Sequence, residues 1–74
     1  MSFPMLGPVL CRSRNELGWS LQKLADRVGI TKAHLWELEK GHTQNPTLAV
    51  IVGLARALGM SPAELVALLT DTAA

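Results

Sequence analysis

The strongest constraint on this chain is its punctuation. Gly18, Gly29, Gly41 and Gly59 recur along it, and each is followed shortly by a helix-capping type: Ser20, Thr31, Asn45 or Thr47, and Ser61. Glycine takes up the positive φ that closes a helix without a Cβ penalty. A serine, threonine or asparagine oxygen accepts from the free backbone N–H groups that open the next helix. Stop followed by start divides the chain into five helices, expected at about 5–17, 21–28, 32–40, 47–58 and 62–70. Ser61-Pro62-Ala63-Glu64 is the most explicit start, with proline at the first helical position and Glu64 placed to return a hydrogen bond to the cap.

The apolar spacing agrees. Leu21, Leu24, Ala25 and Val28 fall at i, i+3, i+4 and i+7, one stripe of a helix. Ile51, Leu54, Ala55 and Leu58 repeat it, with Leu48 one turn earlier on the same inward side. The helix at 32–40 offers only Leu35 and Leu38 inward, which leaves Lys32, Ala33, Trp36 and Glu37 on other faces. Nothing alternates with period two for long enough to make a strand, and no repeat or low-complexity tract occurs. The expectation is an all-α, compact five-helix domain spanning 1–74. At 49% hydrophobic and 18% charged, the chain can bury a core. A core of this size supplies only about 3–5 kcal/mol, so self-association would help it.

Several function classes are excluded. Cys11 is the single cysteine, so no internal disulfide forms, and it is read as a partly buried thiol without a neighbouring base. His34 and His42 lie far from it in sequence and are read as polar surface groups, so no metal or other cofactor is expected. There are no paired carboxylates, no nucleophile–base spacing and no phosphate-binding glycine loop; an enzyme is not expected, and no small-molecule ligand is evident. The apolar start Met1–Cys11 lacks a basic leading segment, contains Gly7 and Pro8, and runs straight into Arg12. It reads as neither signal peptide nor membrane span, which implies a cytoplasmic protein with no membrane partner.

The helices at 21–28 and 32–40 are each about two turns long, joined by Val28-Gly29-Ile30-Thr31. So short a link forces them to cross steeply, which is the helix-turn-helix arrangement. A formal net charge of +1 adds little support for a nucleic-acid partner, so the case rests on individual positions. Trp19-Ser20-Leu21-Gln22-Lys23-Leu24-Ala25-Asp26-Arg27-Val28-Gly29-Ile30-Thr31 resembles the "LSQEELAEKLGVS" stretch of the Cro and lambda-repressor-like (Xre) family. Leu35-Trp36-Glu37-Leu38-Glu39-Lys40-Gly41 is similar to that family's "IxxxExG" ending, and Asn45–Leu48 with Leu54–Ser61 to its fourth-helix pattern. The resemblance spans about residues 6–66, with the motifs in order.

That resemblance implies a DNA-binding domain and assigns roles by position. Arg14 and Glu39 match a buried ion pair tying the first helix to the end of the recognition helix. Ser20 and Thr31 match caps whose helix N-termini approach phosphates. Lys32, Ala33, Trp36 and Glu37 match base-reading positions. Lys32 can donate to guanine or to a phosphate, Ala33 can touch a thymine methyl, and Glu37 can accept from cytosine N4. Trp36 either reaches a base step or sugar, or covers protein surface. Two departures stand out. Leu21 occupies a position where the family often has glutamine, which leaves Gln22 or Lys23 to reach a nearby phosphate. The loop His42-Thr43-Gln44-Asn45 holds no lysine or arginine, so backbone N–H groups, Thr43, Gln44 and Lys40 would make its phosphate contacts.

The fourth helix has a feature of its own. With Ile51, Ala55 and Leu58 inward, Ala49, Gly53 and Ala57 form a nearly side-chain-free row expected on the outer side, flanked by Val50. Together with Leu65, Val66 and Leu69 of the fifth helix, this row suggests a twofold homodimer that sets two recognition helices about 34 Å apart on double-stranded DNA. The implied function is a sequence-specific transcriptional regulator of repressor type, such as a restriction-modification controller or an antitoxin. The alternative is a protein-interaction module of the same fold that does not bind DNA.

Overall fold

Hydrogen bonds realise the expected starts and stops. The computed structural model describes residues 3–70, so the expected domain over 1–74 extends into 1–2 and 71–74, which lie outside the described residues. Its five helices are α1 (Leu6–Glu16), α2 (Leu21–Val28), α3 (Lys32–Lys40), α4 (Leu48–Ala57) and α5 (Pro62–Thr70). The Ser20 hydroxyl accepts from Lys23 N at 3.1 Å, and Thr31 Oγ1 from His34 N at 3.0 Å. Of the two candidate caps for α4, Thr47 is the one used, accepting from Val50 N at 3.2 Å. Ser61 and Glu64 form the reciprocal capping box, at 3.1 and 3.2 Å. Gly29 and Gly41, at φ 88° and 79°, end α2 and α3 in the left-handed region. Only α1 lacks a side-chain cap.

Apolar stripes from all five helices meet in one core. Phe3, Leu6, Val9 and Leu10 enter from the N-terminal side, Leu24 and Ala25 from α2, and Leu35 and Leu38 from α3. Ile51, Leu54 and Ala55 of α4, with Leu65 and Leu69 of α5, complete it. No polar or charged residue among the described residues is buried as a whole, although the Glu39 side chain is nearly so. α1 packs on α3, α2 on both α3 and α4, and α5 turns through 105° from α4 to cover the other end.

Two contacts fix α1 against α3. Gly7 sits where the helices touch: a Cβ there would lie 2.5 Å from the Glu39 carbonyl oxygen and 3.1 Å from that of Leu38. Two turns on, Arg14 donates through Nε and Nη2 to the two carboxylate oxygens of Glu39, at 2.7 and 3.0 Å. Its Nη1 donates to the Trp19 carbonyl at 2.9 Å. The Glu39 side chain is only 6% exposed and that of Arg14 17%. The hydrogen bond to Glu39 holds the Arg14 pKa above its ordinary value against the opposing effect of burial, so the guanidinium stays charged.

Four expectations are corrected. Leu48 does not face inward. It is 78% exposed on the first turn of α4, beyond the edge of the core, beside a groove lined by Phe3, Asn45, Pro46, Ile51 and Val66. Gly53 is not on an outer face: a Cβ there would meet Val28 Cγ1 at 3.2 Å and the Val28 carbonyl oxygen at 3.3 Å. The small residue admits close approach by another helix, and that helix is α2 of the same chain. Leu65 and Leu69 are core residues, 0% and 4% exposed, and offer nothing to a partner. A single inward direction suffices for a helix packed on one face. α4 packs on α2, the core and α5 at once, so more than one of its stripes is covered.

Gly7→Ala should lower stability by about 1–3 kcal/mol despite alanine's higher helix propensity, because the new methyl meets backbone carbonyls that cannot rotate away. Urea denaturation followed by circular dichroism reads this; an unchanged midpoint would refute the close contact. Glu39→Ala should cost about 3 kcal/mol, the low end for a broken buried pair because Arg14 keeps some solvent contact. The exposed Glu37→Ala should stay within about 0.5 kcal/mol in the same assay.

Candidate nucleic-acid interface

The α2–turn–α3 unit turns both polar and apolar side chains to solvent. Ser20, Gln22, Lys23, Thr31, Lys32, Ala33, Trp36, Glu37 and Lys40 are all solvent-exposed, and Thr43 is half-buried. Thr31 opens α3 immediately after the Gly29 turn, so Lys32 and Ala33 stand on its first turn and Trp36 and Glu37 on the next. Each cap satisfies one of the free N–H groups at its helix start. The rest remain open to solvent, where the helix end carries partial positive charge.

Local contacts set several of these side chains before any ligand arrives. The Gln22 amide donates to Asp26 at 2.8 Å along α2. The Thr43 hydroxyl donates to Glu37 at 3.5 Å, a long bond that nonetheless links the loop after α3 to its outer face. The backbone does so more firmly, with His42 N donating to the Glu37 carbonyl at 3.0 Å. The His42 ring stands edge-on to Trp36, centroids 5.1 Å apart, and Trp36 keeps 43% of its surface exposed. Trp36 therefore rests one edge on the loop and leaves the rest of its indole free. Of the two readings of this residue, the covering of protein surface is realised in part, by the His42 contact.

Two features escaped the sequence reading. Trp19 packs against the core and carries two cations over its ring, Lys23 Nζ at 5.3 Å and Arg27 Cζ at 5.4 Å from the centroid. The spacing of four from Trp19 to Lys23 to Arg27 was a legible signal, and it adds Arg27 to the basic edge of α2. The second is a groove of about 630 Å³ between the start of α2 and the face of α3, lined by Leu21, Lys32, Ala33, Trp36 and Glu37. Leu21, which the sequence places both on the apolar stripe of α2 and as a departure from the family's glutamine, lines it while half-buried against the core. Elsewhere, Cys11 is half-buried with the Asn15 amide 3.5 Å from its sulfur, and no cluster of three metal-ligating side chains occurs among the described residues.

Of the residues expected at a dimer interface, Ala49 is exposed, while Val50, Ala57 and Val66 are half-buried against the core. Leu68, 43% exposed, adds apolar surface on α5, and Leu48, expected to face inward, adds more on α4 at 78%.

Comparison with known proteins matches this geometry to a family. Residues 12–65 match the model of the helix-turn-helix family. An uncharacterised HTH-type transcriptional regulator of Sinorhizobium fredii is 37% identical over 62 residues, 84% of this chain and 79% of that protein. The crystal structure of SinR, master regulator for biofilm formation, in complex with DNA superposes with a TM-score of 0.77. It is 29% identical and covers 84% of this chain and 98% of that one. The restriction-modification controller protein C.AhdI from Aeromonas hydrophila gives 0.76 at 32% identity, over 85% of this chain and 94% of that one. With its capped α2, glycine turn and exposed α3 face, the chain belongs to the helix-turn-helix family of Cro and lambda-repressor-like proteins.

Proposed function

We propose that this chain is a sequence-specific DNA-binding transcriptional regulator, not an enzyme, acting in the cytoplasm with α3 in the major groove. The observation that carries the reading is the exposed face of α3, set by the Thr31 cap and held from behind by Glu39. Lys32, Ala33, Trp36 and Glu37 read base edges. Ser20, Gln22, Lys23, Thr31, Lys40 and Thr43 approach the phosphates on either side, and Arg27 joins Lys23 along the basic edge of α2. Support comes from the named relatives, which are transcriptional regulators, and from the likeness to SinR in its DNA complex.

The working unit is a homodimer. Leu48 and Val66 line one groove with Phe3 and Ile51, and Ala49 and Leu68 add exposed apolar surface on the same two helices. Two copies joined there would present two recognition helices to a palindromic site. Val50 and Ala57 contribute only their exposed edges to it. A protein-interaction module of the same fold that does not bind DNA is the competing reading, favoured by the low net charge.

Selection of duplex sites from random DNA should return a palindrome with half-sites one helical turn apart. Log K for that site should fall linearly with log salt, with a slope of about 0.9 per phosphate contact; a flat dependence with no preferred sequence supports the interaction module. Lys32→Ala should relax preference at one base position, at a cost of about 1–3 kcal/mol. Equal weakening on all sequences would make Lys32 a phosphate contact. Sedimentation at micromolar concentration should give a dimer that Leu48→Glu dissociates; a strict monomer with and without DNA rules the dimer out.

A further inference from the structure

We infer that the groove between α2 and α3 takes thymine C5-methyl groups, and that Leu21 is a specificity-determining residue of this protein. The inference rests on the DNA-binding reading above and deepens it. Ala33, Trp36 and Glu37 fall at i, i+3 and i+4 of α3 and so share one face, which Lys32 flanks. Leu21, the first residue of α2, closes the groove from the other side. Its floor is therefore an aliphatic side chain, a methyl and an indole, with the charges of Lys32 and Glu37 at the rim.

A glutamine at position 21 would carry hydrogen-bonding groups to a base or phosphate; leucine carries none. An apolar floor held against the major groove discriminates only through an apolar partner. The major groove of B-DNA displays one such group, the C5-methyl of thymine. Phosphate oxygens gain nothing from Leu21 or Ala33, and the sugars, alike at every position, give no base preference. Cytosine, which lacks the methyl, would leave the floor facing water. The groove is present in the chain alone, and Trp36 within it also meets the His42 ring. The rim charges remain free to read the polar edges of neighbouring bases.

The test uses the full chain and the duplex site selected from random DNA, with each thymine replaced in turn by deoxyuridine. That change removes the methyl and leaves base pairing intact. One or two thymines per half-site should prove sensitive, each losing about fourfold in affinity, as expected for one buried methyl. Deoxyuridine elsewhere in the duplex should change affinity by less than about twofold, a difference of under 0.5 kcal/mol. Leu21→Gln, checked for an unaltered melting transition, should bring the sensitive positions below twofold. Equal binding of thymine and uracil duplexes, with sequence preference intact, overturns the inference and leaves the DNA-binding reading standing. Absence of any preferred sequence overturns both. Undiminished sensitivity in a folded Leu21→Gln protein removes Leu21 from the site.

Discussion

The guanidinium of Arg14 is the junction on which the helix-turn-helix depends. Its three hydrogen bonds run to both oxygens of Glu39 and to the carbonyl of Trp19. One side chain thus ties the end of α1 to the end of α3 and to the backbone just before the Ser20 cap of α2. The recognition helix is held at its far end by a charge pair and at its near end by Thr31. Neither attachment uses the face turned to solvent. The same junction requires Gly7, because the ion pair keeps its short bonds only while the two helix backbones stay in contact.

A pair with so little exposure is a weak source of net stability, since desolvating both ions offsets much of their attraction. Its value here is placement. Apolar contact between α1 and α3 alone would be nearly indifferent to a small slide of α3. A bidentate arginine–carboxylate bond is not, because both N–H groups must line up with both oxygens. An assembly that reads base edges needs that kind of directional restraint, and the apolar core supplies the bulk of the folding energy beside it.

Much of this was legible in the sequence, because the signals were local. Glycine stops, hydroxyl caps and the Ser61–Glu64 box are each written within a few residues, and the helix bounds follow from them. The Arg14–Glu39 pair came from resemblance alone, since nothing local links residues 25 apart. What the sequence misplaced lay on α4. The Ala49–Gly53–Ala57 row looked like an outward surface because a helical wheel assumes one buried direction. The structure gives that helix several neighbours, and Gly53 meets Val28. Leu48 failed in the opposite sense: periodicity carried the stripe one turn past the point where the core ends. At the candidate site, the positions on α3 could be read from spacing. The groove they form with Leu21 could not, because it needs the crossing of two helices.

Trp19 has a consequence for how binding energy and ion release divide. In the free protein Lys23 is parked over the indole, sharing it with Arg27. An ammonium on an exposed ring is worth about 0.5–1 kcal/mol. Any phosphate that recruits Lys23 must first draw it off that ring. The displaced counterion is counted in full by the salt dependence, whereas the affinity gains only the difference between two electrostatic partners. Along this edge of α2, the protein exchanges one partner for another instead of capturing a free charge. The indole left behind can still hold Arg27, so the edge keeps one of its cations in place when the other moves.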